Sequence, residues 1–144
     1  MTRKRARLVL GAGLAALVVA AGAAAVALAA RPGPAPQNAI TIEIKYSHFN
    51  PSAITVPVRV PVTITLVNDD PIDHEWIIGD DAVQQKHRTG TELLHPGRPT
   101  EQVIPALSTR VTTITFDHPA TWKYICHLPG HEAYGMVGVA SILR

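Results

Sequence analysis

From Ala39 onward apolar and polar residues alternate. Ile40, Ile42 and Ile44 fall on one side of the chain and Thr41, Glu43 and Lys45 on the other, and Val62, Ile64 and Leu66 alternate with Thr63, Thr65 and Val67. A period of two marks a strand with one buried face. Further strand-like runs occur at Trp76 to Ile78, Glu101 to Ile104, Arg110 to Phe116, Trp122 to Cys126 and Met136 to Leu143, separated by Pro, Gly, Asp and Asn. Seven to eight short strands between residues 39 and 144 predict an all-β chain folded as a β-sandwich. The stretch Asp80 to Leu94 lacks this period. It reads as a long connection in which Asp81 caps a single helical turn from Ala82 to Lys86.

The first thirty residues follow another pattern. Arg3, Lys4, Arg5 and Arg7 precede an unbroken apolar run from Leu8 to Ala30. Basic residues before such a run place the N-terminus in the cytoplasm and the rest of the chain outside. The run is long enough to span a bilayer, and Ala27-Leu28-Ala29 fits a small-residue cleavage site, so residues 1–30 are expected to be a signal peptide or a transmembrane anchor. Residues 31–38, RPGPAPQN, form a Pro-rich linker, and residues 39–144 form the folded domain. The domain is therefore expected to be periplasmic or otherwise extracytoplasmic, with membrane contact only through the N-terminal segment if it is retained.

Charge confirms that division. The chain of 144 residues has 13 Lys and Arg against 11 Asp and Glu, but four of the basic residues lie in the leader, so the remainder carries 9 − 11 = −2. No basic patch is left to suggest nucleic acid, and Gln85-Lys86-His87-Arg88 reads as solvated surface. Cys126 is the single cysteine, which excludes an internal disulfide in an exported chain. An unpaired thiol outside the cytoplasm needs another role, and metal ligation supplies one.

Cys126, His131 and Met136 stand at five-residue intervals in CHLPGHEAYGM, and His74 lies about fifty residues upstream in DDPIDHEW. Two imidazoles, a thiolate and a weak axial thioether are the ligand set of a blue-copper site. A step of five residues turns about 140° around a helix and changes face on a strand, so these three residues converge only on an irregular loop. Pro129-Gly130 and Gly135 are consistent with that loop. If Cys126 faces inward along its strand, Tyr124 and Trp122 are core residues and His127 points to the other side.

The remaining histidines have plainer readings. His48 and His118 sit beside Asn50-Pro51 and Pro119, in turns. His127 reads as an exposed neighbour of the site. His87 and His95, eight residues apart in the irregular connection, leave open a second metal ion, although no third ligand of obvious geometry stands near them.

From Ala39 to Arg144 the chain resembles the cupredoxins, the small blue-copper proteins related to plastocyanin. The resemblance rests on Cys, His and Met in order after an aromatic residue two before the Cys, as in Tyr124-Ile125-Cys126, and on Met opening the last strand in Gly135-Met136-Val137-Gly138. It rests also on a His that follows an Asn-containing turn, Asn68 to His74. The resemblance implies a Greek-key β-sandwich that binds one type 1 copper ion through His74, Cys126 and His131, with Met136 as the weak axial ligand. It departs from plastocyanin-like proteins at Asp73 and Glu75, where Pro and Asn are common, so that the Asn side chain tying the two ligand loops together is absent. The implied activity is transport of single electrons between transient redox protein partners by a monomer. Electrons would pass through the His131 edge, within a patch of Leu128, Pro129 and Ala133. An extracytoplasmic copper-binding protein for delivery or buffering would use the same ligands. An enzyme is the weaker expectation: one cysteine cannot build a dinuclear copper site, Ile125 stands where an oxidase would carry a second His beside the Cys, and no G-x-S-x-G occurs.

Overall fold

The alternating isoleucines of the first strand, β1 (Ala39–Lys45), are the inward face of a sandwich. The computed structural model describes residues 35–90 and 97–144. The predicted leader, residues 31–34 of the linker, and His95 lie outside the described residues. After β1 come β2 (His48–Asn50), β3 (Ala53–Pro57), β4 (Pro61–Asn68), β5 (His74–Gly79), the helix α1 (Asp81–Arg88), β6 (Glu101–Ile104), β7 (Thr109–Thr115), β8 (Ala120–Ile125) and β9 (Val137–Leu143). One sheet runs β2-β1-β4-β7 and the other β3-β9-β8-β5-β6. The chain crosses between them after β2, β3, β4, β6 and β7, the interleaving that makes a Greek-key sandwich. Two short strands beyond those expected, β2 and β3, complete the edges. The three residues of β2 carry too little alternation to announce a strand, and the alternation of β3, with Ile54 and Val56 inward, is short and ends on Pro57.

The two inner faces interdigitate as one core. Ile42, Ile44, Val56, Val62, Ile64, Leu66, Trp76 and Tyr124 are fully buried within it, as are Cys126 and Met136. Alternation fails on β5, where every residue but Glu75 is buried. The cause is α1, which packs against β5 and β8 and covers their outer face, so that Ile77 and Ile125 are buried there while Trp76 and Ile78 face the core. Gln84 fastens the helix: its buried amide donates to the carbonyls of Ile77 at 3.0 Å and Lys123 at 2.9 Å. The helix is longer than the single turn expected, and its cap is Asp80, not Asp81. The Asp80 side chain accepts the Val83 N–H at 2.9 Å, and Asp81 sits in the first turn. Among the described residues no helix is long and apolar enough to cross a membrane.

One turn matters for the site. β1 and β2 are joined by two residues, Tyr46 and Ser47, with φ of 54° and 55°. Two consecutive left-handed residues give the type I′ hairpin whose twist matches the strands, a conformation that Asn and Gly adopt readily and that Tyr and Ser do not. Something outside the turn has to hold it.

Candidate metal centre

Three of the four predicted ligands sit at the ends of three neighbouring strands. His74 opens β5, Cys126 follows the last residue of β8, and Met136 precedes the first residue of β9; β8 pairs with both of the others. His131 lies on the loop between β8 and β9. That loop is closed by main-chain bonds: Cys126 N–H donates to the Met136 carbonyl at 3.2 Å, and Met136 N–H donates to the His131 carbonyl at 3.0 Å. Gly135, with φ of 93°, makes the turn into Met136 in a conformation that residues with a side chain rarely adopt.

Side chains converge where the strands end. His74 Nδ1 is 3.2 Å from His131 Nδ1, which is 3.3 Å from Cys126 Sγ, and the three donor atoms lie within 4.8 Å of one another. Donors held about 2.0–2.3 Å from a common ion lie no more than roughly 4.6 Å apart, and the 3.2 Å and 3.3 Å separations fall well inside that span, so the triangle can gather round one metal with little movement. His74 and Cys126 are fully buried, and His131 is partly exposed. Burial pushes the Cys126 thiol up, against the Glu75 N–H, which donates to its sulfur at 3.3 Å and favours the thiolate. Burial likewise pushes His74 down, leaving a neutral imidazole able to donate a lone pair. Met136 is fully buried in the same core cluster as Cys126.

A family model, the cupredoxin-like domain, matches residues 14–139. The chain belongs to the cupredoxin-like family. Among solved structures it is similar to auracyanin from Roseiflexus castenholzii, reduced with dithionite, at 22% identity and a TM-score of 0.64, over 75% of this chain and 98% of that one. Auracyanin B aligns at 22% identity and a TM-score of 0.61, over 77% and 92% of the two chains. Auracyanin A, a blue copper protein from Chloroflexus aurantiacus, aligns at 22% identity and a TM-score of 0.58, over 75% and 99%. No curated protein matches the sequence. The likeness to these structures is one of fold.

The cupredoxin-like domain departs from the sequence expectation around His127 and α1. His127 is not exposed: its side chain retains 6% of its accessible surface, because α1 covers that side of β8. Its Nε2 is 2.8 Å from Gln84 Oε1, its Nδ1 is 3.7 Å from Glu132 Oε2, and its ring stacks on His87 at 5.9 Å. His87 is buried too, 3.6 Å from Glu101 Oε1, so the Gln85 to Arg88 segment is a helix with one packed face and not a solvated loop. Burial holds His127 below the ordinary imidazole value. Among the described residues His74, Cys126 and His131 form the one cluster of three potential metal ligands.

Three features of the site went unseen in the sequence. Asp70, buried, stands 3.0 Å from His74 Nε2. Asn68 organises the turn before it, donating from Nδ2 to the carbonyls of Ile72, Ile104 and Pro105 and accepting the Asp70 N–H at 3.0 Å. Arg88 pairs with Glu132, next to His131. The spacing Asp70 to His74 was a signal, since an acidic residue four before a candidate ligand can reach its far nitrogen. Arg88 and Glu132 lie too far apart in the chain to be linked by pattern. Of the two flanking acids, Asp73 is exposed and turns to the Ala106 N–H at 2.8 Å, and Glu75 is half-buried, its pKa raised by burial.

Proposed function

We propose that the chain is an exported type 1 copper protein that carries single electrons between transient redox partners, as a monomer and not as an enzyme. The observation that carries this reading is the convergence of His74 Nδ1, Cys126 Sγ and His131 Nδ1, with Met136 tied through its backbone to both loop ligands. Two imidazole nitrogens, a thiolate and a thioether suit copper in either of its oxidation states, and one-electron exchange is what the bound ion would supply. His74, Cys126 and His131 would be the equatorial ligands and Met136 the axial one. The protein's part is to hold them still: His74 and Cys126 are fixed by paired strands, and the Glu75 N–H steadies the sulfur.

His131 is the partly exposed member of the set, and Pro129 and Ala133 beside it are exposed, with Leu128 folded back on the core. A surface of this size suits brief docking, because transient redox partners bury small interfaces. In this reading residues 1–30 export or anchor the chain, residues 31–38 space it from the membrane, and residues 39–144 do the work.

The test is a visible spectrum of the protein loaded with Cu(II), followed through reduction and reoxidation. An intense thiolate-to-copper band that bleaches and returns is expected, and Cys126→Ser abolishes it. Copper held loosely, without that band, would instead indicate delivery or buffering.

A further inference from the structure

Three nitrogen atoms converge on the Asp70 carboxylate. Oδ1 accepts the Tyr46 N–H at 2.7 Å, and Oδ2 accepts the Ser47 N–H at 2.7 Å while standing 3.0 Å from His74 Nε2. The side chain retains 9% of its accessible surface. Its main chain is held as well: its own N–H donates to Asn68 Oδ1 at 3.0 Å and its carbonyl accepts the Leu107 N–H at 3.0 Å. The same group thus holds the left-handed Tyr46-Ser47 turn and faces the first ligand.

The chemistry of these partners decides which proton His74 carries. A backbone N–H can only donate, so both carboxylate oxygens are already acceptors, and an acceptor oxygen facing a ring nitrogen requires the proton to sit on that nitrogen. The proton therefore belongs on Nε2. An imidazole protonated there has its lone pair on Nδ1, and Nδ1 is the atom directed at His131 and Cys126. Carboxylate, imidazole and metal position then lie in sequence, the arrangement by which an outer group fixes both the tautomer and the ring plane of a ligand.

We propose that Asp70 is the positioning residue for His74: its carboxylate selects the Nε2–H tautomer and so presents Nδ1 to the metal. The inference rests on the metal-site reading above for the identity of the ion, but the tautomer is set with no ion present. The competing explanation is that Asp70 serves only to pin the Tyr46-Ser47 turn.

The experiment separates the two. In metal-free, nitrogen-15-labelled full-length protein, the His74 ring signals should show a protonated Nε2 and a bare Nδ1. Asp70→Ala should remove that preference and lower Zn(II) affinity, measured by competition with a chelator, by about 10–100-fold. Because Asp70→Ala also releases the turn, the same change is made in a Tyr46→Gly/Ser47→Gly background, where the I′ conformation needs no external support. There too the tautomer preference and zinc affinity should fall. A native His74 protonated on Nδ1 would overturn the inference, and so would a folded Asp70→Ala protein, in either background, with unchanged tautomer and zinc affinity. A protein that gave the expected tautomer and the Asp70-dependent zinc affinity, yet never the visible copper band, would lose the carrier reading and keep the role of Asp70.

Discussion

Arg88, in the last turn of α1, grips Glu132 with two N–H···O bonds, Nε to Oε2 at 2.9 Å and Nη2 to Oε1 at 2.6 Å, and Glu132 follows His131 directly. The helix and the ligand loop are thus joined by a planar, bidentate contact. Both side chains are substantially exposed, so the pair should matter little to global stability. Arg88→Ala is expected to cost about 0.2–1 kcal/mol in urea unfolding while speeding metal loss to a chelator, because the segment that carries His131 is released. Unchanged metal release would show that the loop's main-chain bonds hold it alone.

A second expectation concerns the acids flanking His74. A carboxylate near the centre favours the more positive, oxidised metal, and solvent screens it in proportion to its exposure. Glu75 is half-buried and Asp73 exposed. In the copper-loaded protein Glu75→Gln should raise the reduction potential clearly, and Asp73→Asn should raise it less. Redox titration of the two variants decides the order.

Gly138 is a site of close approach. A Cβ placed there would collide with the Tyr124 ring, which is fully buried and donates its hydroxyl to the Pro51 carbonyl at 2.8 Å. Gly138→Ala has to push Tyr124 off this bond or separate β8 from β9. A loss of about 1–3 kcal/mol is expected by chemical denaturation, together with a weaker visible band, since Cys126 lies two residues beyond Tyr124.

The metal-free protein should weaken in mild acid. Burial places His74 and His127 below the ordinary value of 6.5, so the unfolded chain takes up these protons at a higher pH than the folded one. With more protons bound in the unfolded state, stability rises with pH: the contribution is complete above the unfolded value and declines as pH falls below it. Urea midpoints at about pH 7.5 and about pH 5.5 should therefore fall in that order. Equal midpoints would mean that acid-side gains elsewhere cancel the two histidines.

Strand periodicity in the sequence located β1, β4, β7 and β9, because each has one face in the core and one in water, and it marked β8 although α1 covers part of its outer face. Of β5, whose outer face is covered by α1, it marked only Trp76 to Ile78, and it missed β2, whose three residues are too few for a pattern. The donor triangle was legible because Cys126, His131 and Met136 share a loop and each residue type carries its own chemistry. The groups that orient the donors were not. Asp70 is one acid among Asp69, Asp70 and Asp73, and what distinguishes it is the left-handed turn more than twenty residues earlier that brings two N–H groups onto its oxygens. His127 reads as exposed in the sequence because no local pattern announces that α1 lies over it.

The separations along the chain also set a timetable. The Glu75 N–H meets Cys126 Sγ across 51 residues and His74 meets His131 across 57, so neither contact exists until β5 and β8 have paired. Loop closure over such spans carries an entropic cost that only completed sheets offset. Before those sheets form the chain offers a passing ion nothing but scattered side chains, and the donor set is assembled only when folding has finished.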